Sequence, residues 1–204
     1  LLLAAMRRRD VAILASERIF LRALPELAKH IVFVPDPPQV SLRVVGLRQA
    51  LRHLGRGGAL LHFGAGRIEP DPAFAPRMGP PPLVEWAAGT GTLVRGAARA
   101  AGRVVVAIVE AVHSPRAKSL LVNRLAERRG LTTLAPLLQV ALPGFRDVHA
   151  RVLFSRSVEA SLLAGTGSDA EITKSVRSMA LDLLSWPRSR AGGPPGTRSM
   201  HHPR

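Results

Sequence analysis

Residues 57–72 read GGALLHFGAGRIEPDP: an apolar stretch from Ala59 to Phe63 runs straight into a polar loop carrying two glycines, an arginine and two carboxylates. Those residue types can hold an anion. Gly64 and Gly66 let the backbone approach a ligand closely, Arg67 offers a forked donor that matches phosphate or carboxylate, and Glu69 follows two residues later. The same residues also describe an ordinary strand-to-loop turn in which Arg67 is clasped by Glu69 or Asp71. Nucleotide chemistry fails on spacing. Gly64-x-Gly66 lacks the third glycine of a dinucleotide fingerprint, and no Gly-Lys-Ser/Thr follows as a P-loop would require.

The chain has no cysteine, which removes disulfides, cysteine nucleophiles and thiolate-bound zinc. His53, His62, His113 and His149 show no mutual spacing that suggests a metal, and each is expected as a surface or core residue. The adjacent His201 and His202 cannot fill a tetrahedral zinc shell. No metal and no bound cofactor is expected.

The elements that must position the loop alternate between strand-like and helix-like. Residues 11–15 read as a strand, 17–30 as a helix bent or started at Pro25, and 31–34 as a strand ended by Pro35-Asp36-Pro37-Pro38. Ser41 is placed to cap the next helix, with Val44, Leu47, Leu51 and Leu54 at helical spacing and Arg43, Arg48 and Arg52 on a solvated face. Residues 59–63 read as a buried strand, whose carboxyl end is where open α/β sheets bind ligands. A proline-rich loop then leads into a helix containing Trp86. Residues 104–109 read as a strand, 117–129 and 131–142 as helices, and 148–154 as an edge or antiparallel strand. Ser168-Asp169-Ala170-Glu171 fits a capping box before the apolar stripe Ile172, Val176, Met179 and Leu183, which predicts an amphipathic helix packed on the domain.

Over residues 11–154 the chain resembles the glycerolipid acyltransferase superfamily, which includes the 1-acylglycerol-3-phosphate acyltransferases. In that family a strand ends in Phe-Pro-Glu-Gly-Thr-Arg, a loop associated with the phosphate of the acyl acceptor. Phe63 and Gly66 match it, Arg67 is displaced by one position, and Gly64 and Ala65 replace the Pro and Glu. Gly66 to Pro72 match continuously the Gly-Arg-Ile-Glu-Pro-Asp-Pro of a divergent bacterial branch. Phe20-Leu21-Arg22-Ala23-Leu24-Pro25 with the strand 31–34 resembles the second family block, without its usual arginine. Residues 104–109 resemble the fourth block, a buried strand, without its usual proline. The resemblance implies substrate-binding roles for Phe63, Gly66, Arg67 and Glu69. It also implies acyl transfer from acyl-CoA or acyl carrier protein, as co-substrate, to a lysophospholipid or other glycerolipid hydroxyl.

These enzymes act through His-x4-Asp, in which the histidine takes the acceptor proton and the aspartate orients the imidazole. No histidine stands five positions before any aspartate of this chain; His30 and Asp36 are one residue too far apart. The opening Leu1-Leu2-Leu3-Ala4-Ala5 is read as lying inside the helix that follows the motif. The expectation is therefore an N-terminally truncated acyltransferase-like domain over 1–186, inactive as it stands, with a disordered tail over 187–204. Its expected fold is α/β, a mixed central sheet flanked by helices in the manner of glycerol-3-phosphate acyltransferases.

A length of 204 residues with 47 % hydrophobic composition permits a sizeable core. The net charge of +15 implies attraction to polyanions, unless the arginines reflect only a codon bias shared with Ala, Gly and Pro. Few aromatics and no Tyr offer few stacking platforms, so no specific nucleic acid is expected. No apolar run approaches the ~20 residues that span a bilayer. The expected placement is cytoplasmic, peripheral on the inner face of an anionic membrane. A noncatalytic basic module that binds anionic lipid surfaces or nucleic acid is the other reading.

Overall fold

The computed structural model describes residues 2–16, 19–34, 40–66, 69–74, 83–120, 134–165 and 167–185. Arg67 lies outside them, as do most of the proline-rich loop, the greater part of the helix expected over 117–129, and the tail from residue 187. The described elements in chain order are α1 Leu2–Met6, β1 Val11–Ser16, α2 Ile19–Arg22, α3 Pro25–Ala28, β2 Ile31–Val34, α4 Val40–Gly55 and β3 Ala59–His62. They continue with α5 Gly89–Arg99, β4 Arg103–Val104, β5 Ala107–Glu110, α6 Pro115–Ser119, α7 Leu134–Ala141, β6 Arg151–Phe154, β7 Val158–Glu159, α8 Ala160–Ala164 and α9 Asp169–Ser185. The fold is mixed α/β. Contacts divide it into two units, one built from Leu1–Glu69, Leu83–Val106 and Ser155–Ser185, the other with its described residues in Pro70–Pro82 and Ala107–Phe154.

In the first unit β1 is the central strand of a parallel sheet of order β2-β1-β3. Val11, Ala12 and Ile13 are all buried, so consecutive residues that point to opposite faces are both covered, as expected of a parallel strand. Helix α4 packs on the sheet and against α5, and Ala12, Val32, Ala50 and Leu93 form the core there, with Leu14, Leu47, Leu51 and Leu60 against them. Small residues set the spacing. A Cβ at Gly46 would lie 2.9 Å from the Phe33 carbonyl oxygen, so only glycine lets α4 approach β2 this closely.

Several sequence expectations are corrected here. The described strands form not one mixed sheet but a parallel sheet of three and two separate antiparallel pairs, β4-β7 and β5-β6. The expected strand over 104–109 is broken, because its two halves pair with different partners. At the end of the first half, Val106 N donates to Ser155 Oγ at 2.9 Å and Ser155 N to Val106 O at 2.9 Å. The expected helix over 17–30 is two short helices, since Pro25 bars Leu24 (φ −106°, ψ 86°) from helical backbone. Ser41 sits inside α4 rather than before it, and Val44 is exposed; Gly46, Ala50 and the neighbouring leucines make the buried face. Strand β3 is only half-buried because it is the sheet edge. Of the strand expected over 148–154, residues 151–154 pair.

The capping box before α9 holds. Ser168 N donates to Glu171 Oε2 at 2.7 Å and Glu171 N to Ser168 Oγ at 3.3 Å, which satisfies two of the amides a helix start leaves open. Ile172, Val176 and Ala180 are buried along one face, Ile172 completely. Arg95 of α5 joins Asp169 at 2.5 Å and Thr92 donates to the same carboxylate at 2.6 Å, so α5 is tied to the start of α9.

In the second unit β5 and β6 pair antiparallel, with Glu110 directly opposite Arg151. Arg151 Nη2 bonds Glu110 Oε1 at 2.5 Å, and the Glu110 side chain is 1 % exposed. Ser114 caps α6 by accepting from Ala117 N at 3.0 Å.

Candidate functional site

The loop that could hold an anion leaves the carboxyl end of β3. Phe63 lies just beyond the strand and is 51 % exposed. Gly66 N donates to Phe63 O at 3.0 Å, which closes a four-residue turn from Phe63 to Gly66. The two glycines answer to different demands. Gly66 has φ +63° with open space around its missing side chain, so its requirement is conformational. Gly64 has ordinary backbone but lies against the Trp86 indole, where a Cβ would overlap the ring. Its requirement is room for tryptophan.

Trp86 is thus the back wall of the turn. It does not sit in a helix, as the sequence suggested, but three residues before α5, in a segment whose polar groups bond to side chains. Glu69 Oε1 accepts from Val84 N at 2.9 Å. Arg177 of α9 donates to Val84 O at 2.7 Å and to Leu83 O at 2.6 Å. A carboxylate on one side and a guanidinium on the other therefore fix residues 83–84 without helix or strand. The buried Trp86 Nε1 has no acceptor among the described residues.

His62, the last residue of β3, immediately precedes this turn. Its Nε2 shares a hydrogen bond of 3.1 Å with Thr90 Oγ1 of α5. Burial pushes the imidazole down to about 4, so it is neutral at pH 7. Of the four residues that sequence reasoning selected, the structure places Phe63 exposed on the turn, Gly66 at its positive-φ corner and Glu69 on the Val84 amide. Arg67 lies outside the described residues. Sequence reasoning missed Arg177, Thr90 and the packing of Trp86 on Gly64; no local pattern marks them.

The second unit holds its own polar cluster around Asp71, whose side chain is 2 % exposed. Its carboxylate accepts from the amides of Ala73 at 3.0 Å, Ala111 at 2.9 Å and Val112 at 2.8 Å, and from His113 Nδ1 at 3.2 Å. Burial alone would raise this carboxyl, but the three amides and the imidazole together hold it below the usual range. Ala111, at φ +56°, is held in the left-handed region by this grip. Both Asp71 oxygens are thus occupied within its own unit.

His113 on a buried aspartate, with Ser114 next to it, has the residue types of a nucleophilic triad. The geometry assigns Ser114 otherwise: its hydroxyl donates to Asp147 Oδ1 at 2.5 Å and accepts from Ala117 N, and its amide donates to Gln139 Oε1 at 3.0 Å. Ser114 is a helix cap, not a nucleophile. Among the described residues no group of three or more His, Asp or Glu is disposed to hold a metal ion. Among them, too, no helix is long and apolar enough to cross a membrane. No protein-family model, no curated protein and no solved structure matches the chain.

Proposed function

We propose that this chain is the acceptor-binding part of an acyltransferase-like domain of glycerolipid type, with the fold expected of that family, and that it binds an anionic acceptor without turning it over. The observation that carries the reading is the run Gly66-Arg67-Ile68-Glu69-Pro70-Asp71-Pro72, which begins in a turn at the carboxyl end of a parallel strand, where ligands of open α/β sheets bind. Glu69 holds the Val84 amide and Trp86 packs on Gly64, so described residues on either side of Arg67 in the sequence are anchored. The absence of His-x4-Asp from the sequence supports the second half of the reading.

The proton-accepting step of acyl transfer needs a base within reach of the acceptor hydroxyl. His62 is the histidine nearest the turn in sequence, and its imidazole is buried on Thr90. It does not take that part. The donor on this reading is an acyl thioester, the acceptor a lysophospholipid or glycerol phosphate, and the setting a peripheral one at an anionic membrane.

The test separates binding from turnover. Lysophosphatidate binding is measured by fluorescence of the chain's tryptophans below the lipid's aggregation threshold, and acyl transfer from acyl-CoA by thiol release. Saturable binding that weakens on Arg67→Ala, with no transfer above background, is the expected result. Binding that Arg67→Ala leaves unchanged overturns the acceptor role, and turnover abolished by mutating a histidine of this chain overturns the noncatalytic half.

A further inference from the structure

At the opposite end of the parallel sheet, where β1 and β2 begin, lies an open cavity of about 490 Å³ in the first unit. Val11, Ala12, Ile31 and Val32 form its floor, and the polar wall comes from three separate stretches of chain: Arg9 and Asp10, Lys29 and His30, and the end of α4 with Arg52, His53 and Arg56. Four permanently charged cations therefore face one space. One carboxylate accompanies them.

That carboxylate is already neutralised. Arg8 bonds Asp10 through Nε at 2.8 Å and through Nη2 at 2.5 Å, and this hydrogen-bonded pairing holds the Asp10 carboxyl down to about 2. The two histidines have backbone partners: His53 Nε2 lies 2.9 Å from Asp10 O and 3.0 Å from Ala59 O, and His30 Nδ1 lies 3.3 Å from Val11 O. Lys29 Nζ is on Glu26 at 2.7 Å. What is left is Arg9, Arg52 and Arg56, none of which has an ion-pair partner among the described residues. The helix dipole favours cations at the end of α4 and accounts in part for Arg52 and Arg56. It does not account for Arg9, which reaches the same cavity from the segment before β1.

We infer that this cavity is a binding site for a phosphate group, held by Arg9, Arg52 and Arg56. Guanidinium forks match the tetrahedral oxygens of phosphate bidentately, and three unneutralised forks on one cavity wall suit a dianion better than a single carboxylate. The mutual repulsion of the three is relieved when the dianion enters. The inference does not rest on the acyltransferase reading: the cavity lies at the amino ends of the strands, and the turn at Gly66 at their carboxyl ends.

The experiment is calorimetric titration of the full chain with inorganic phosphate at low ionic strength, repeated on Arg52→Ala, Arg56→Ala, Arg48→Ala and Arg67→Ala. Arg48 stands on the exposed side of the same helix, outside the cavity, so its loss changes net charge equally. Saturable binding weakened on the order of tenfold by each cavity substitution, and unaltered by Arg48→Ala, is expected. No saturable binding, or equal losses in Arg48→Ala, overturns the site in favour of diffuse charge; loss confined to Arg67→Ala assigns the phosphate to the β3 turn and overturns it as well. Melting temperatures of the Arg48, Arg52 and Arg56 variants, expected unchanged because all three side chains are exposed, guard against unfolding as a cause. The source of the phosphate is read from cosedimentation with phosphatidylcholine vesicles carrying phosphatidate. Vesicle binding that free phosphate displaces and Arg52→Ala weakens identifies a lipid headgroup, whereas phosphate binding without vesicle binding identifies a soluble phosphate ester.

Discussion

Gly64 and Trp86 are in contact such that the glycine's missing side chain is the space the indole occupies. The position therefore reports packing, not ligand approach. Gly64→Ala is expected to cost about 1–3 kcal/mol, the usual penalty for overpacking, because an added Cβ would lie 2.4 Å from ring carbons of the indole. Gly66→Ala should cost about 1–2 kcal/mol for a different reason, the left-handed φ that an L-residue resists. Pairing each with Trp86→Ala in thermal melts distinguishes them. The Gly64 penalty should vanish in the Trp86→Ala background and the Gly66 penalty should persist; if both persist, the packing account is wrong.

Glu69 and Arg177 hold the same dipeptide from opposite sides, one accepting its amide and the other donating to its carbonyls. Removing one acceptor or donor leaves part-buried backbone groups unpaired. Glu69→Ala should therefore destabilise by about 1–2 kcal/mol and Arg177→Ala by about 2–3 kcal/mol, since two charge-assisted bonds are lost. Because both act on one rigid segment, the double variant should cost less than the sum. Strict additivity in chemical denaturation would show that the two clamps are independent.

How much of this was legible in sequence depends on the reach of each interaction. The parallel strands at 11–15 and 31–34 were visible as apolar runs, and the capping box at Ser168 needed only four consecutive residues. Glu69 was visible as a polar residue in a suggestive loop, but its partner is 15 positions away, that of Asp71 at Val112 is 41 away, and Arg177 reaches back 94 positions to Leu83. Such pairs leave no local pattern. The same limit explains the broken strand at 104–109: its residues are uniformly apolar, and the break is set by its different partners at 158–159 and 151–154. The cationic cavity was hidden for the same reason, since Arg9, Arg52 and Arg56 share no window of sequence, and composition alone could not tell convergent arginines from scattered ones.

In the second unit the Asp71 carboxylate substitutes for a stretch of secondary structure, holding three amides and His113 Nδ1. Asp71→Ala orphans those donors, and a loss on the order of 3 kcal/mol is expected. Hydrogen exchange at the Ala111 and Val112 amides should accelerate ahead of exchange in β1. Ala111→Gly relieves the positive φ and should be neutral or stabilising by up to about 1 kcal/mol, which a purely bystander turn would not reward. Unchanged amide protection in Asp71→Ala would refute this carboxylate as the organiser of the turn.

His62 gives the chain a pH dependence with a defined sign. Burial lowers the folded-state imidazole to about 4, while the unfolded chain titrates near the ordinary value of about 6.5. Above about 6.5 neither state is protonated and the full stability is present; as pH falls from there to about 4 the unfolded state takes up the proton first, so stability is lost across that window and then levels off. The shift corresponds to a loss of up to about 3 kcal/mol. Carboxylates held below their usual range, Asp71 by its amides and Asp169 by Thr92 and Arg95, add their own losses only at more acid pH, as they become protonated. The two windows therefore separate in denaturant titrations from pH 7 to 3. His62→Gln, which keeps a polar contact for Thr90 but does not titrate, should flatten the upper window and leave the lower one in place. An undiminished loss between pH 6.5 and 4 in that variant would show that some group other than His62 carries it.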